Sequence, residues 1–86
     1  MYQLVFMTQA QKDAKKLAAS GLKPKVLSLF ERIQKDPLVY PPAFEYLQGE
    51  LKGMISRRIN KQHRLVYEVV EEAKLIKVYR MWTHYE

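Results

Sequence analysis

The hydrophobic pattern of the chain changes its period at a proline-rich stretch, and this change constrains the fold more than any other feature. Across residues 9–35 the apolar side chains recur at helical spacing, most clearly at Val26, Leu29, Phe30 and Ile33. After Pro37, Pro41 and Pro42 they come in short runs that are typical of strands. A chain of 86 residues has room for one core, so both patterns belong to a single domain, residues 1–86.

The order of the segments predicts an α+β fold. Residues 2–7 predict a strand, and Thr8 with Gln11 three residues later predicts a capping box that starts a first helix. Ser20-Gly21 ends that helix, and a second helix begins at Pro24 and is closed by Pro37. Four later apolar runs predict an antiparallel β-meander, at residues 44–47, 54–59, 65–70 and 75–82. The expected architecture is an N-terminal strand, a two-helix hairpin and the meander.

Composition narrows the class of partner. Fifteen Lys and Arg against nine Asp and Glu give a net charge of +6, which favours a polyanionic partner, most simply nucleic acid. The chain has no Cys and only two His, so we expect neither a disulfide nor a metal cluster, and no cofactor. No apolar run approaches the roughly 18 residues of a membrane span, so we expect a cytoplasmic protein without a membrane partner.

The meander predicts where polar side chains converge, because neighbouring antiparallel strands bring alternate ends together. Glu45 begins the first run, Arg57 and Arg58 end the second, Arg64 begins the third, and residues 80–86 follow the fourth. We therefore expect a carboxylate, several guanidinium groups and a C-terminal imidazole at one end of the sheet. The alternation along a strand leaves open whether Arg57 or Arg58 points toward that group.

A phosphate suits this group of side chains. Five basic residues and no acidic one lie between Lys52 and Arg64, and arginine forks match phosphate oxygens. Glu45 then has two interpretations, which the residues alone leave open. It is either the ion-pair partner that holds the arginines or a base that takes a proton from a ribose 2′-hydroxyl.

The C-terminal residues also have two interpretations each. His84 is either part of an exposed tail or an acid that donates a proton to a departing 5′-oxygen. Tyr85 and Trp82 could stack on an unpaired base, although a core position is favoured for Trp82. We expect His63 at the surface or stabilising a turn.

Two separate motifs carry a resemblance to a known family. Ser56-Arg-Arg-Ile followed by His63-Arg-Leu-Val-Tyr67, and the terminal His84-Tyr85-Glu86, closely resemble the YoeB/Txe toxins of the RelE superfamily. The resemblance implies a microbial-ribonuclease-like fold and a toxin of a bacterial type II toxin–antitoxin system. It implies that mRNA in the ribosomal A site is cut by 2′-hydroxyl attack and that a YefM/Axe-type antitoxin neutralises the toxin. It leaves open whether the toxin forms a homodimer.

The same resemblance implies a role for each matching residue. Glu45 would be the general base, His84 the general acid and Arg64 the main stabiliser of the transition state. Arg58 would bind the same phosphate, and Tyr85 would position the substrate or stack on it. Neither a metal nor a cofactor takes part.

The chain departs from the usual family pattern at two places. Gln48 stands where members often carry Lys, and Met81, Trp82 and Thr83 separate Arg80 from His84 where members commonly have one residue. The alternative function is a non-catalytic RelE/ParE-like toxin, or a basic nucleic-acid-binding module, that acts by binding, for example on gyrase.

Overall fold

The structure is a computed structural model and describes residues 1–82. Within that range it has the α+β architecture that the sequence predicts. The helices are α1 (Thr8–Ala19) and α2 (Lys23–Lys35). The strands are β1 (Gln3–Phe6), β2 (Phe44–Tyr46), β3 (Ile55–Arg58), β4 (Arg64–Val70) and β5 (Leu75–Arg80). Neither helix in this range is long and apolar enough to cross a bilayer.

The strands form one mixed sheet in the order β1-β5-β4-β3-β2. Strands β2 to β5 pair antiparallel with their neighbours in the chain, which confirms the predicted meander. Strand β1 lies beside β5 and runs parallel to it, with Gln3 opposite Leu75 and Phe6 opposite Val78. The N-terminal strand therefore supports the strand that leads to the C-terminus.

The core lies between the two helices and one face of the sheet. The rings of Phe6 and Phe30 meet edge to face at 5.5 Å, which joins β1 to α2. Buried helix residues and alternate strand residues form one cluster, which includes Leu17, Ile33, Ile55, Leu65, Tyr67, Ile76 and Val78. The other residues of β3 and β4, beginning with Ser56 and Arg64, project on the opposite face of the sheet because side chains alternate along a strand.

The capping box predicted at Thr8 is wrong. Helix α1 includes Thr8, its N-cap residue is Met7, and no side chain caps that end. Gln11 instead donates its side-chain N–H to the carbonyl of Phe6 at 3.0 Å. The glutamine thus ties the first helical turn back to the end of β1, where the sequence rule expects a local bond within the helix.

Most predicted boundaries also shift by one or two residues. Helix α2 begins at Lys23, one residue before Pro24, which lies in the first turn as its fixed φ favours. Strand β5 ends at Arg80, so the last predicted run is shorter by its final two residues. Met81 is buried and Trp82 packs partly buried against the core, as favoured for that ring.

Candidate active site

The register of the sheet places one row of residues across four neighbouring strands. Glu45 lies opposite Ser56, Ser56 opposite Val66, and Val66 opposite Arg80. The last pairing follows a register shift between Val66 and Tyr67. Residues directly opposite each other project on the same face of a sheet, so Glu45 and Ser56 both lie on the face turned away from the helices.

Two arginines lie beside this row. Arg58 is opposite Arg64, and each is two residues from a member of the row, which puts both on the same face. One Arg64 nitrogen, Nη1, donates to Glu45 Oε1 at 3.0 Å and to Ser56 Oγ at 3.2 Å. The side chains of Arg64 and Glu45 are 29% and 61% exposed. The ion pair is therefore open to solvent and accessible to a ligand.

These side chains line a cleft. One part, of about 420 Å³, is lined by Glu45, Leu47, Ser56, Arg58, Lys61, Arg64 and Val66. A second part of similar volume shares four of these residues and extends along Pro42, Ala43 and Phe44. Three cations and one carboxylate line the first part, so its net charge favours an anion.

Arg57 lies on the other side of the sheet, which resolves the choice between the two neighbouring arginines. Its side chain is completely buried. Arg57 donates to the Tyr67 hydroxyl at 2.8 Å, to the Pro42 carbonyl at 2.6 Å and to the Pro37 carbonyl at 3.1 Å. Its guanidinium also lies 4.6 Å from the centre of the Phe44 ring. Arg57 thus holds the connection from α2 to β2 in place, and Arg58 faces the cleft.

The pKa of Tyr67 reflects this buried arrangement. Burial raises the pKa of the Tyr67 phenol, and the hydrogen bond from Arg57 opposes that rise. The hydroxyl also donates to the Pro37 carbonyl at 2.6 Å, which requires the protonated form. Arg57 and Tyr67 therefore form one network with the connection before β2, and this network supports the strand that carries Glu45.

His63 is buried, so the surface position considered for it is wrong. Its ring is 3% exposed and stacks on Trp82, with centroids 3.9 Å apart and planes at 20°. The next residue, Arg64, donates its backbone N–H to the carbonyl of Trp82 at 3.0 Å. Trp82, two residues after β5, therefore lies beside the start of β4.

The structure brings together three of the five predicted site residues. Glu45, Arg58 and Arg64 line the same cleft. The other two, His84 and Tyr85, lie outside the described residues. Ser56 belongs to the site although sequence reasoning gave it no role; its position opposite Glu45 in the paired strands was the signal that could have found it.

The cleft has the parts that anion chemistry requires. Arg64 and Arg58 can each present a planar fork to a phosphate, and the exposed carboxylate of Glu45 can accept a proton beside it. Among residues 1–82, no three His, Cys, Asp or Glu side chains lie close enough together to hold a metal ion. The carboxylate and the two arginines can supply proton transfer and charge stabilisation.

Comparison with known proteins places the chain in a toxin family. The family described as "YoeB-like toxin of bacterial type II toxin-antitoxin system" matches residues 5–85. A curated relative, Toxin YoeB of Mycobacterium bovis, is 44% identical over 48 residues, which cover 56% of this chain and 56% of the relative. The match thus spans little more than half the length of that curated relative.

Solved structures match over nearly the whole chain. The YoeB/ParE toxin from Agrobacterium tumefaciens has a TM-score of 0.87 and 26% identity, covering 96% of this chain and 99% of that one. The toxin–antitoxin structure described as the YoeB-YefM complex from Staphylococcus aureus has a TM-score of 0.82 and 32% identity, covering 99% of both chains.

Proposed function

Because the chain belongs to the YoeB-like family of toxins from bacterial type II toxin–antitoxin systems, we propose that it is an endoribonuclease. It cuts mRNA in the ribosomal A site and so stops translation. The observation that carries this proposal is the exposed contact of Arg64 with Glu45, beside the buried Ser56, in a cationic cleft. A phosphate that enters the cleft meets a carboxylate and two arginines on one face of the sheet.

The proposed reaction begins at the ribose 2′-hydroxyl. Glu45 accepts the hydroxyl proton, and the 2′-oxygen forms a bond to the adjacent phosphorus. The bond from phosphorus to the 5′-oxygen of the next nucleotide then breaks, which leaves a 2′,3′-cyclic phosphate. Arg64 and Arg58 stabilise the negative charge that develops on the phosphate oxygens during this displacement.

The ion pair between Glu45 and Arg64 is consistent with both interpretations of Glu45. Without RNA, Arg64 donates to Oε1 of the carboxylate and holds it beside Ser56. When a phosphate binds, the guanidinium can turn its other N–H groups to the phosphate oxygens, because arginine carries five donors. The carboxylate then lies beside the bound phosphate, where it can accept the proton of the attacking 2′-hydroxyl.

We assign the departing 5′-oxygen its proton from His84. This proposal is supported by the end of the described chain: the carbonyl of Trp82, two residues before His84, accepts the backbone N–H of Arg64. Tyr85, one residue further, would stack on a base or position the substrate.

The cationic surface extends beyond the cleft. A further cavity of about 340 Å³ borders Arg58 and Pro42 and is lined by Lys25, Ser28 and Arg32 of α2. A line of cations from the cleft to a helix suits a polyanion such as messenger or ribosomal RNA. The same charge suits a YefM-type antitoxin that lays an acidic segment over the cleft. A staphylococcal relative was solved as a YoeB-YefM complex.

The test is induction of the toxin in a bacterium, followed by mapping of mRNA 5′ ends. Wild type should produce cuts within the codons of translated messages, whereas Glu45→Gln and His84→Ala should produce few. Glu50→Gln is the matched control, because Glu50 is an exposed carboxylate that lies outside the cleft. Removing the base should slow cleavage by roughly 10²–10⁴-fold.

Two results would contradict the proposal. Equal cutting by wild type and both variants would remove Glu45 and His84 from the reaction. Growth arrest with intact mRNA and damaged DNA, persisting after removal of residues 84–86, would instead support a toxin that acts by binding.

A further inference from the structure

The end of β5 is held by contacts from three separate parts of the fold. The backbone N–H of Met81 donates to Asp13 Oδ2 of α1 at 2.9 Å. The ring of Trp82 stacks on His63, which lies in the turn before β4. The Trp82 carbonyl accepts the N–H of Arg64, the first residue of β4. We call Asp13, His63, Met81 and Trp82 the tail anchor, because the C-terminal tail begins directly after them.

Asp13 is an unusual choice for a buried helix position. It is 2% exposed, and its other oxygen accepts a bond from Gln9 at 3.0 Å. No cation of residues 1–82 pairs with Asp13. Burying an unpaired carboxylate is costly, and an apolar residue of similar size would be the simpler core residue. The carboxylate instead gives Met81 a hydrogen bond beyond the last residue of β5, which fixes the course of the chain there.

His63 also occupies its buried position at a cost in stability. Its Nδ1 is buried and has no hydrogen-bond partner among the described residues, which costs about 1–3 kcal/mol for such a group. The face of the ring, by contrast, stacks closely on Trp82. The geometry indicates that this ring is kept at the turn for its flat surface.

These contacts connect the anchor to the cleft. The bond between Arg64 N–H and the Trp82 carbonyl makes the start of β4 and the beginning of the tail one unit. We propose that Asp13 and His63 are positioning residues that hold Met81 and Trp82 so that the tail delivers its imidazole to the phosphate bound by Arg64. This inference rests on the proposed ribonuclease function. Neither residue lines the cleft, so both act through the chain that they hold.

The test compares two leaving groups in single-turnover cleavage on ribosomes programmed with mRNA. One mRNA carries an ordinary linkage at the A-site cut, and the other carries sulfur in place of the bridging 5′-oxygen. Sulfur leaves without a proton, so a defect in acid delivery should disappear with it. Asp13→Leu and His63→Leu should slow the ordinary linkage by roughly 10–100-fold, the scale of a small misplacement, and the sulfur linkage by less than about 3-fold.

Conservative variants separate positioning from folding. His63→Phe keeps a ring for the stack, and Asp13→Asn keeps an acceptor for the Met81 N–H, so both should cleave the ordinary linkage at close to the wild-type rate. The matched control is Gln34→Leu, which removes another side-chain bond from a helix to a backbone group, from Gln34 to the carbonyl of Tyr2, the residue before β1, at 3.0 Å. It should leave both cleavage rates unchanged. Equal slowing of both linkages by Asp13→Leu and His63→Leu would overturn the proposal.

The anchor also has a readout that does not depend on cleavage. Trp82 is the only tryptophan, so its fluorescence anisotropy decay reports motion at this point alone. Local motion of the indole should increase in Asp13→Leu and His63→Leu and stay at the wild-type level in His63→Phe. Unchanged motion in both leucine variants would overturn the anchor. If wild type cleaved neither linkage, the proposed function would be wrong. The anisotropy measurement would still show whether Asp13 and His63 hold Trp82 in place.

Discussion

Replacing Arg57 with Met should strongly destabilise the protein, whereas the same replacement of its neighbour Arg58 should not. Met is of similar length, so it largely fills the space but donates no hydrogen bond. The Pro42 carbonyl and the Tyr67 oxygen then lose the bonds of 2.6 Å and 2.8 Å that they accept from Arg57. The Pro37 carbonyl keeps its bond from Tyr67.

One buried polar group, the Tyr67 oxygen, and one half-buried group, the Pro42 carbonyl, thus each lose a donor, at about 1–3 kcal/mol each. The expected loss is about 2–5 kcal/mol, since the Arg57 charge no longer has to be desolvated. For a domain of this size, that loss lowers Tm by at least about 10 °C. Urea denaturation followed by circular dichroism measures it.

Arg58→Met is the matched control, because Arg58 is exposed in the cleft and its loss should change stability by less than about 0.5 kcal/mol. A loss under 1 kcal/mol for Arg57→Met would refute the account of the buried network, and so would an equal loss for Arg58→Met.

Two further predictions follow from the perturbed pKa values. Tyr67→Phe should cost about 1–3 kcal/mol at neutral pH, because the buried Nε–H of Arg57 loses its acceptor, while the Pro37 carbonyl still accepts a bond from Arg57. Burial raises the pKa of the Tyr67 phenol, so the wild type loses stability as the pH rises from about 10 through the pKa of the folded protein. Denaturation curves should show the stability difference between wild type and Tyr67→Phe narrowing over this range. At the surface, hydrogen bonds from Tyr2 and then Lys74 lower the pKa of Glu71. The stability that Glu71 contributes is present above the ordinary pKa of a glutamate and is lost as the pH falls through the lowered pKa of the folded protein. Tyr2→Phe should move the Glu71 pKa, measured by NMR titration, back toward the ordinary value. An unchanged titration would contradict this prediction.

The sequence predicted the elements that follow local rules. Helical spacing in α1 and α2 and the strand-like runs after Pro37 appear as predicted, because burial of one face determines both patterns. The convergence of Glu45 and Arg64 followed from the antiparallel order alone, and the structure places them 3.0 Å apart. Their catalytic roles stay predictions.

What the sequence could not show depends on distant partners. The burial of Arg57 needs carbonyls of Pro37 and Pro42, which no pattern within β3 indicates. The burial of His63 depends on the ring of Trp82, which follows it 19 residues later in the chain. The prediction of a capping box at Thr8 is wrong because the Gln11 side chain donates instead to the carbonyl of Phe6 in β1. In each case a tertiary contact replaced the local one.

The end group of the cut RNA tests the central claim most directly. The upstream fragment from purified toxin on programmed ribosomes can be weighed by mass spectrometry at the earliest time points. Attack by the 2′-hydroxyl with Glu45 as base predicts a 2′,3′-cyclic phosphate on that fragment. A free 3′-hydroxyl, with the phosphate left on the downstream fragment, would contradict the account.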